Sequence, residues 1–237
     1  DVWLNETLLI DDFAFRTSTP FVDVPAEQEF TLAIKGPDSQ DPENPIWSGN
    51  YTLTVDETYI LVAEGIVSPT GYDPPTPFDI AVYPAAREMA IMGDKTDLLV
   101  HHGSTDAPTI DIVEVGVGAG LLVDDLSYSE FSGYLELAPL DYIIEIRDET
   151  GTVKLAAYEV PLETLGLDSY ALTVVASGFL DPGNNNGGPE FGLWFASAVG
   201  GNLIKLPVYD PIARVQFIHN SADAAAGLVD IWLDDIL

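Results

Sequence analysis

Residues 98–112 read LLVHHGSTDAPTIDI, and residues 215–231 read VQFIHNSADAAAGLVDI. Both carry His-x-Ser-x-Asp, and His219, Ser221 and Asp223 each lie 117 positions after His102, Ser104 and Asp106. Asp230 follows Asp111 by 119, so the second copy holds two extra residues before the next strand. The flanking sequence repeats as well. LLIDDFAF at 8–15 matches LLVDDLSY at 121–128, and VAEG at 62–65 matches VASG at 175–178, both at an offset of 113. A stable offset over such a length marks duplicated structural units, here of about 110–120 residues each.

In this phase Asp1-Val2-Trp3-Leu4 aligns with Asp230-Ile231-Trp232-Leu233. The first repeat therefore opens just past the place of its own motif strand, and the sequence closes just past a third copy of that strand. The expected organisation is a first repeat over 1–97 lacking its opening strand, a second over 98–212, and opening strands of a third over 213–237.

Short runs of alternating apolar and polar residues separated by Gly, Pro, Asn and Asp clusters read as strands and turns. FVDVPAEQEFTLAI (21–34) and YLELAPLDYIIEI (134–146) read as matched hairpins. GPDSQDPENP (36–45), SPTGYDPPTP (68–77) and DPGNNNGGPE (181–190) read as loops. No stretch keeps a helical period for three turns, and only 84–92 has the pattern of a short helix. The fold class expected is all-β, two tandem Ig-like β-sandwich domains, with a C-terminal strand segment that completes a neighbouring domain.

His102-x-Ser104-x-Asp106-Ala107-Pro108 with Asp111 on the following strand, then Gly133-Tyr134-Leu135-Glu136-Leu137, resembles the domain of unknown function 4397 family. Residues 98–182 carry the resemblance best. His219, Ser221, Asp223 and Asp230 repeat it, with Ala225 in place of the proline. The resemblance implies a secreted or surface β-domain found in tandem, and implies no activity.

His, Ser and Asp together invite a triad reading, but alternation along an extended strand puts Leu98, Val100, His102 and Ser104 on one face. A histidine continuing an apolar stripe is expected to be a core side chain tied by hydrogen bonds, and Asp106 and Asp223 to cap the turns that follow. Catalytic residues are expected to be none. Calcium is the one ion with candidate ligands, because it favours clustered carboxylate and carbonyl oxygens. Asp124, Asp125 and Asp181 offer them, as do Asp11-Asp12 and Asp234-Asp235, although none follows an EF-hand spacing. Asn5-Glu6-Thr7 and Asn50-Tyr51-Thr52 are N-glycosylation sequons.

The 39 acidic residues against 8 basic ones give a formal charge of −31. Nucleic acid and anionic lipid bind through cations that neutralise phosphate, so neither is an expected partner. No apolar run reaches the roughly 18 residues of a membrane span. The absence of cysteine excludes disulfides, thiolate catalysis and Cys-based metal sites. The expectation is a non-enzymatic extracellular or cell-surface protein whose partners are copies of itself, joined head to tail by β-strand complementation; equally open is a longer repeat array of which these residues are a portion, each unit completed within its own chain. The alternative is a surface module gripping glycan or protein through the loops 36–45, 68–77 and 181–190.

Overall fold

The computed structural model describes residues 1–68 and 70–232. The protein is all-β. The first half contributes β1 (Val2–Leu4), β2 (Thr7–Ile10), β3 (Thr17–Ser18), β4 (Phe30–Ile34), β5 (Trp47–Tyr51), β6 (Tyr59–Glu64) and β7 (Asp79–Pro84). The second contributes β8 (Thr96–His102), β9 (Ile110–Glu114), β10 (Gly120–Leu126), β11 (Phe131–Leu137), β12 (Asp141–Asp148) and β13 (Lys154–Pro161). It continues with β14 (Ala171–Ser177), β15 (Gly192–Ser197), β16 (Gly201–Asn202) and β17 (Ile204–Lys205). Among the described residues no helix is long and apolar enough to cross a membrane.

The second half is sandwich-like. One sheet runs β10-β9-β12-β13, the other β11-β8-β14-β15-β17. Alternating apolar residues of both sheets meet in one core, from Leu98 and Val100 on β8 through Ile112, Ile144 and Val174 to Phe195 and Leu206. β8 is central: all seven residues are buried. It lies parallel to β14 (Leu98 beside Leu172, Val100 beside Val174) and antiparallel to β11 (Leu99 beside Tyr134, Asp97 beside Glu136).

The first half matches this plan in six strands and, among the described residues, lacks counterparts of β8, β11 and β17 in its sheets. Its sheet β2-β1-β4-β5 has the order of β10-β9-β12-β13, and β6-β7 corresponds to β14-β15. Nothing among the described residues pairs with β6 on the side where β14 meets β8. Residues 21–24, the expected first arm of a hairpin, form no strand, and only the second arm does, as β4. The physical reason is that their counterpart β11 is held in its sheet by β8. The burial follows the same difference. Val174 of β14 is 4% exposed, whereas Leu61, at the same place on β6, is 37% exposed.

The expected helix at 84–92 is absent. The linker is spent on bridging instead: the Ala86 N–H donates to the Thr58 carbonyl in the first half and the Ala90 N–H to Ser169 in the second. The halves grip each other reciprocally. Tyr83 of β7 stacks near Phe131 and Tyr134 of β11, at 5.2 and 5.8 Å between ring centroids. Conversely Arg16, just before β3, donates to the Ser177 and Glu190 carbonyls and lies 4.1 Å above the Trp194 ring, and β3 pairs with β16.

Beyond β17 the chain stays with the second half through Tyr209. Leu206 is buried, Val208 bridges to Tyr158 of β13, and Tyr209 N–H donates to Ala157. Residues 213–232, expected to open a third repeat, form no strand; a single 3-10 turn at Ala224–Ala226 interrupts exposed chain without regular structure.

Candidate functional site: the motif strand and the place it fills

The motif residues separate into two hydrogen-bonded pieces. The His102 ring Nε2 meets the Pro108 carbonyl oxygen at 2.9 Å, closing the turn that leads to β9. Burial holds the ring below the usual histidine range, outweighing the pull of that carbonyl toward the charged form. Ser104 Oγ donates to the Gly178 carbonyl at 2.6 Å. The Asp106 carboxylate accepts from Ser104 Oγ, from the Leu180 and Asp181 N–H groups and from Asn185 Nδ2. It therefore fixes the loop after β14 rather than capping its own turn, as the sequence led us to expect. The histidine ring and the serine hydroxyl are each bonded to a different carbonyl, so serine lacks the base and the free hydroxyl that nucleophilic attack requires.

Gly178 completes the clamp. Its φ of +97° lies in the left-handed region, and a Cβ there would stand 2.2 Å from the Glu190 carbonyl oxygen. Gly65 repeats both features, with φ +78° and a Cβ contact of 2.2 Å to the Pro77 carbonyl oxygen. The first half thus keeps the receiving end of the clamp.

The C-terminal copy keeps the giving end. His219 Nε2 meets the Ala226 carbonyl oxygen at 2.7 Å, as His102 meets Pro108, and Asp223 accepts from the Ala225 N–H as the cap of the 3-10 turn. Ser221 sits between them with its N–H on His219 Nδ1. Asp230, the counterpart of Asp111, is exposed.

Carboxylates gather at one point in each half. Asp111, Asp124 and Asp125 lie within reach of a single ion, and so do their counterparts Asp1, Asp11 and Asp12. In both, the buried member accepts an N–H from the third, Asp125 N to Asp111 and Asp12 N to Asp1, each at 2.9 Å. These are the residues best placed to hold a cation such as calcium. Asp181 is elsewhere, capping the 3-10 turn at Pro182–Asn184. Asp234 and Asp235 lie outside the described residues.

Asn5 and Asn50, both exposed, converge on Thr31 through their Oδ1 atoms, accepting from its N–H and its hydroxyl. Of the three loops, 68–77 and 181–190 meet each other: Tyr72 lies 5.8 Å from the Phe179 ring, and Asp73 N–H donates to Asn185 Oδ1. Loop 36–45 stands apart, its residues 42–45 walling a shallow depression beside Asn5 and Thr31.

Sequence reasoning missed three polar features. His101 Nε2 meets Glu64 Oε2 at 2.9 Å with both side chains out of solvent, joining the two halves. Arg87 bridges Asp97 and Glu136 at 2.7 and 3.0 Å. Glu114 accepts the N–H groups of Gly116, Val117, Gly118 and Ala119. The first had a signal: the residue at position 64 is glutamate where its repeat has Ser177. No family model matches the chain, and no curated protein or solved structure matches it.

Proposed function

We propose that this protein is an extracellular structural protein, the subunit or segment of a surface filament or adhesin. Two tandem sandwich domains join to further copies head to tail by strand complementation. One observation carries the reading: β8 lies between β11 and β14 in the second half, whereas among the described residues no strand pairs with β6 at the corresponding place and 213–232 carries the same motif outside any sheet. A sheet edge with unpaired backbone groups beside half-exposed apolar side chains is a template for an added strand. Because donor and acceptor are different surfaces, the contact is heterologous and propagates.

The His-x-Ser-x-Asp constellation is the latch of this system rather than a reaction centre. It ties the turn after the motif strand and the loop after its parallel neighbour. In the loop-binding alternative, loops 68–77 and 181–190 form one joint surface through Asp73 and Asn185, and loop 36–45 a separate one.

Negative-stain microscopy and light scattering of the chain with and without residues 213–237 test the proposal. Filaments formed by the longer chain and lost on truncation are the expected result. A monomer of the full chain, unchanged by truncation across salt conditions, would overturn it.

A further inference from the structure

Resting on the strand-complementation reading, we infer that the donor is a second copy of the chain and that it binds in one register, set by Arg214 of the donor opposite Asp23 of the acceptor. The geometry excludes the same chain's residues 213–232 as the donor. The β6–β7 pair covers the outer face of the sheet holding β8, where Glu64 meets His101 and Tyr83 meets Phe131. Tyr209 is bonded to β13, in the sheet on the other side of the sandwich. Packed sheets lie ~10 Å apart, so the place beside β6 is roughly 20 Å from β13 across two layers. From Tyr209 to Ala213 the chain spans at most ~14 Å.

The register follows from the second half. Carrying the β8 pairings over by the repeat offsets sets Val215 beside Tyr59, Phe217 beside Leu61 and His219 beside Ala63. On the other edge Gln216 lies opposite Phe21, Val215 opposite Val22 and Arg214 opposite Asp23. Val215 and Phe217 then point inward as Leu98 and Val100 do, covering Leu61. Ser221 meets the Gly65 carbonyl as Ser104 meets Gly178.

The charges agree with this register. In the second half Asp97 and Glu136 are cross-strand partners, and Arg87 is needed to bridge them. At the same positions the donor and acceptor carry Arg214 and Asp23, a complementary pair in a chain with only 8 basic residues. Where β8 places His101 against Glu64, the counterparts Ile218 and Ser177 are uncharged. The donated strand introduces no unpaired ion.

Charge exchange tests the inference by the protein concentration needed for assembly. Asp23→Arg and Arg214→Asp should each raise it about threefold, as expected for like charges opposed across strands. An equimolar mixture of the two variants should restore assembly, because every junction between unlike copies is again complementary. Closure within one chain would not be rescued by mixing. Cysteines introduced as Phe21→Cys with Gln216→Cys, in a chain that otherwise has none, should cross-link copies into a ladder. A ladder from Asp23→Cys with Gln216→Cys instead, or single variants that assemble as wild type does, would overturn the register and leave strand complementation standing. A wild-type chain that never assembles would overturn both.

Discussion

Glu114 shows how much one side chain does in an irregular segment. The Val115 N–H still reaches the Ile143 carbonyl of β12, and the carboxylate gathers the next four, Gly116 to Ala119. Burial pushes the Glu114 carboxyl up, but these N–H groups outweigh it and hold it below the usual carboxylate range. Its contribution to stability is therefore fully present above the ordinary glutamate pKa and is lost as pH falls through the lowered value. Glu114→Ala should destabilise the protein by roughly 1–3 kcal/mol at neutral pH, through the loss of charge-assisted hydrogen bonds whose donors, on exposed residues, then turn to water. Chemical denaturation between pH 7 and 3 should show the deficit shrinking as the wild-type carboxyl protonates. Asp106→Ala should cost roughly 1–3 kcal/mol for the same reason. Faster hydrogen exchange at the Leu180 and Asp181 amides, rather than at β8, would locate its effect in the loop after β14.

At the scale of elements, the second half contains a complete core and the first does not. A fragment spanning residues 96–209 should fold alone with a cooperative transition, whereas 1–84 should not, which circular dichroism and thermal melting of the two fragments would decide. A synthetic peptide of residues 213–231 added to the chain truncated after 212 should bind and raise its melting temperature. No shift at saturating peptide would count against the open edge of β6. Most strands were legible because alternation and turn residues mark them, and the offset of 113 identified their counterparts. The failure of 21–24 to form a strand was not legible. FVDV has a strand pattern, and only the missing neighbour decides its state. Likewise the motif's histidine was readable as a tied core residue, but the reach of Asp106 to Leu180 depends on a contact 74 residues away in sequence. His101 was passed over because a lone histidine beside the motif has no local pattern, and its partner is 37 residues earlier.

For the whole molecule, a formal charge of −31 opposes the packing of the halves and would oppose that of successive copies alike. Raising salt from about 0.1 to 1 M shortens the screening length from ~10 to ~3 Å. The melting temperature and the extent of assembly should both rise over this range, although the Arg214–Asp23 pair itself weakens, because the repulsion is summed over many residues. An insensitivity to salt in calorimetry would show that the acidic surface is already neutralised. The open edge of β6 has one further consequence. If copies join by the proposed strand donation, every assembly has two chemically distinct ends, one presenting an empty slot and the other a loose strand. A copy shortened to residues 1–212 would accept a strand but have none to give, so in trace amounts it would terminate growth at the strand-bearing end alone. Filament length would then be set by the ratio of two forms of the same polypeptide.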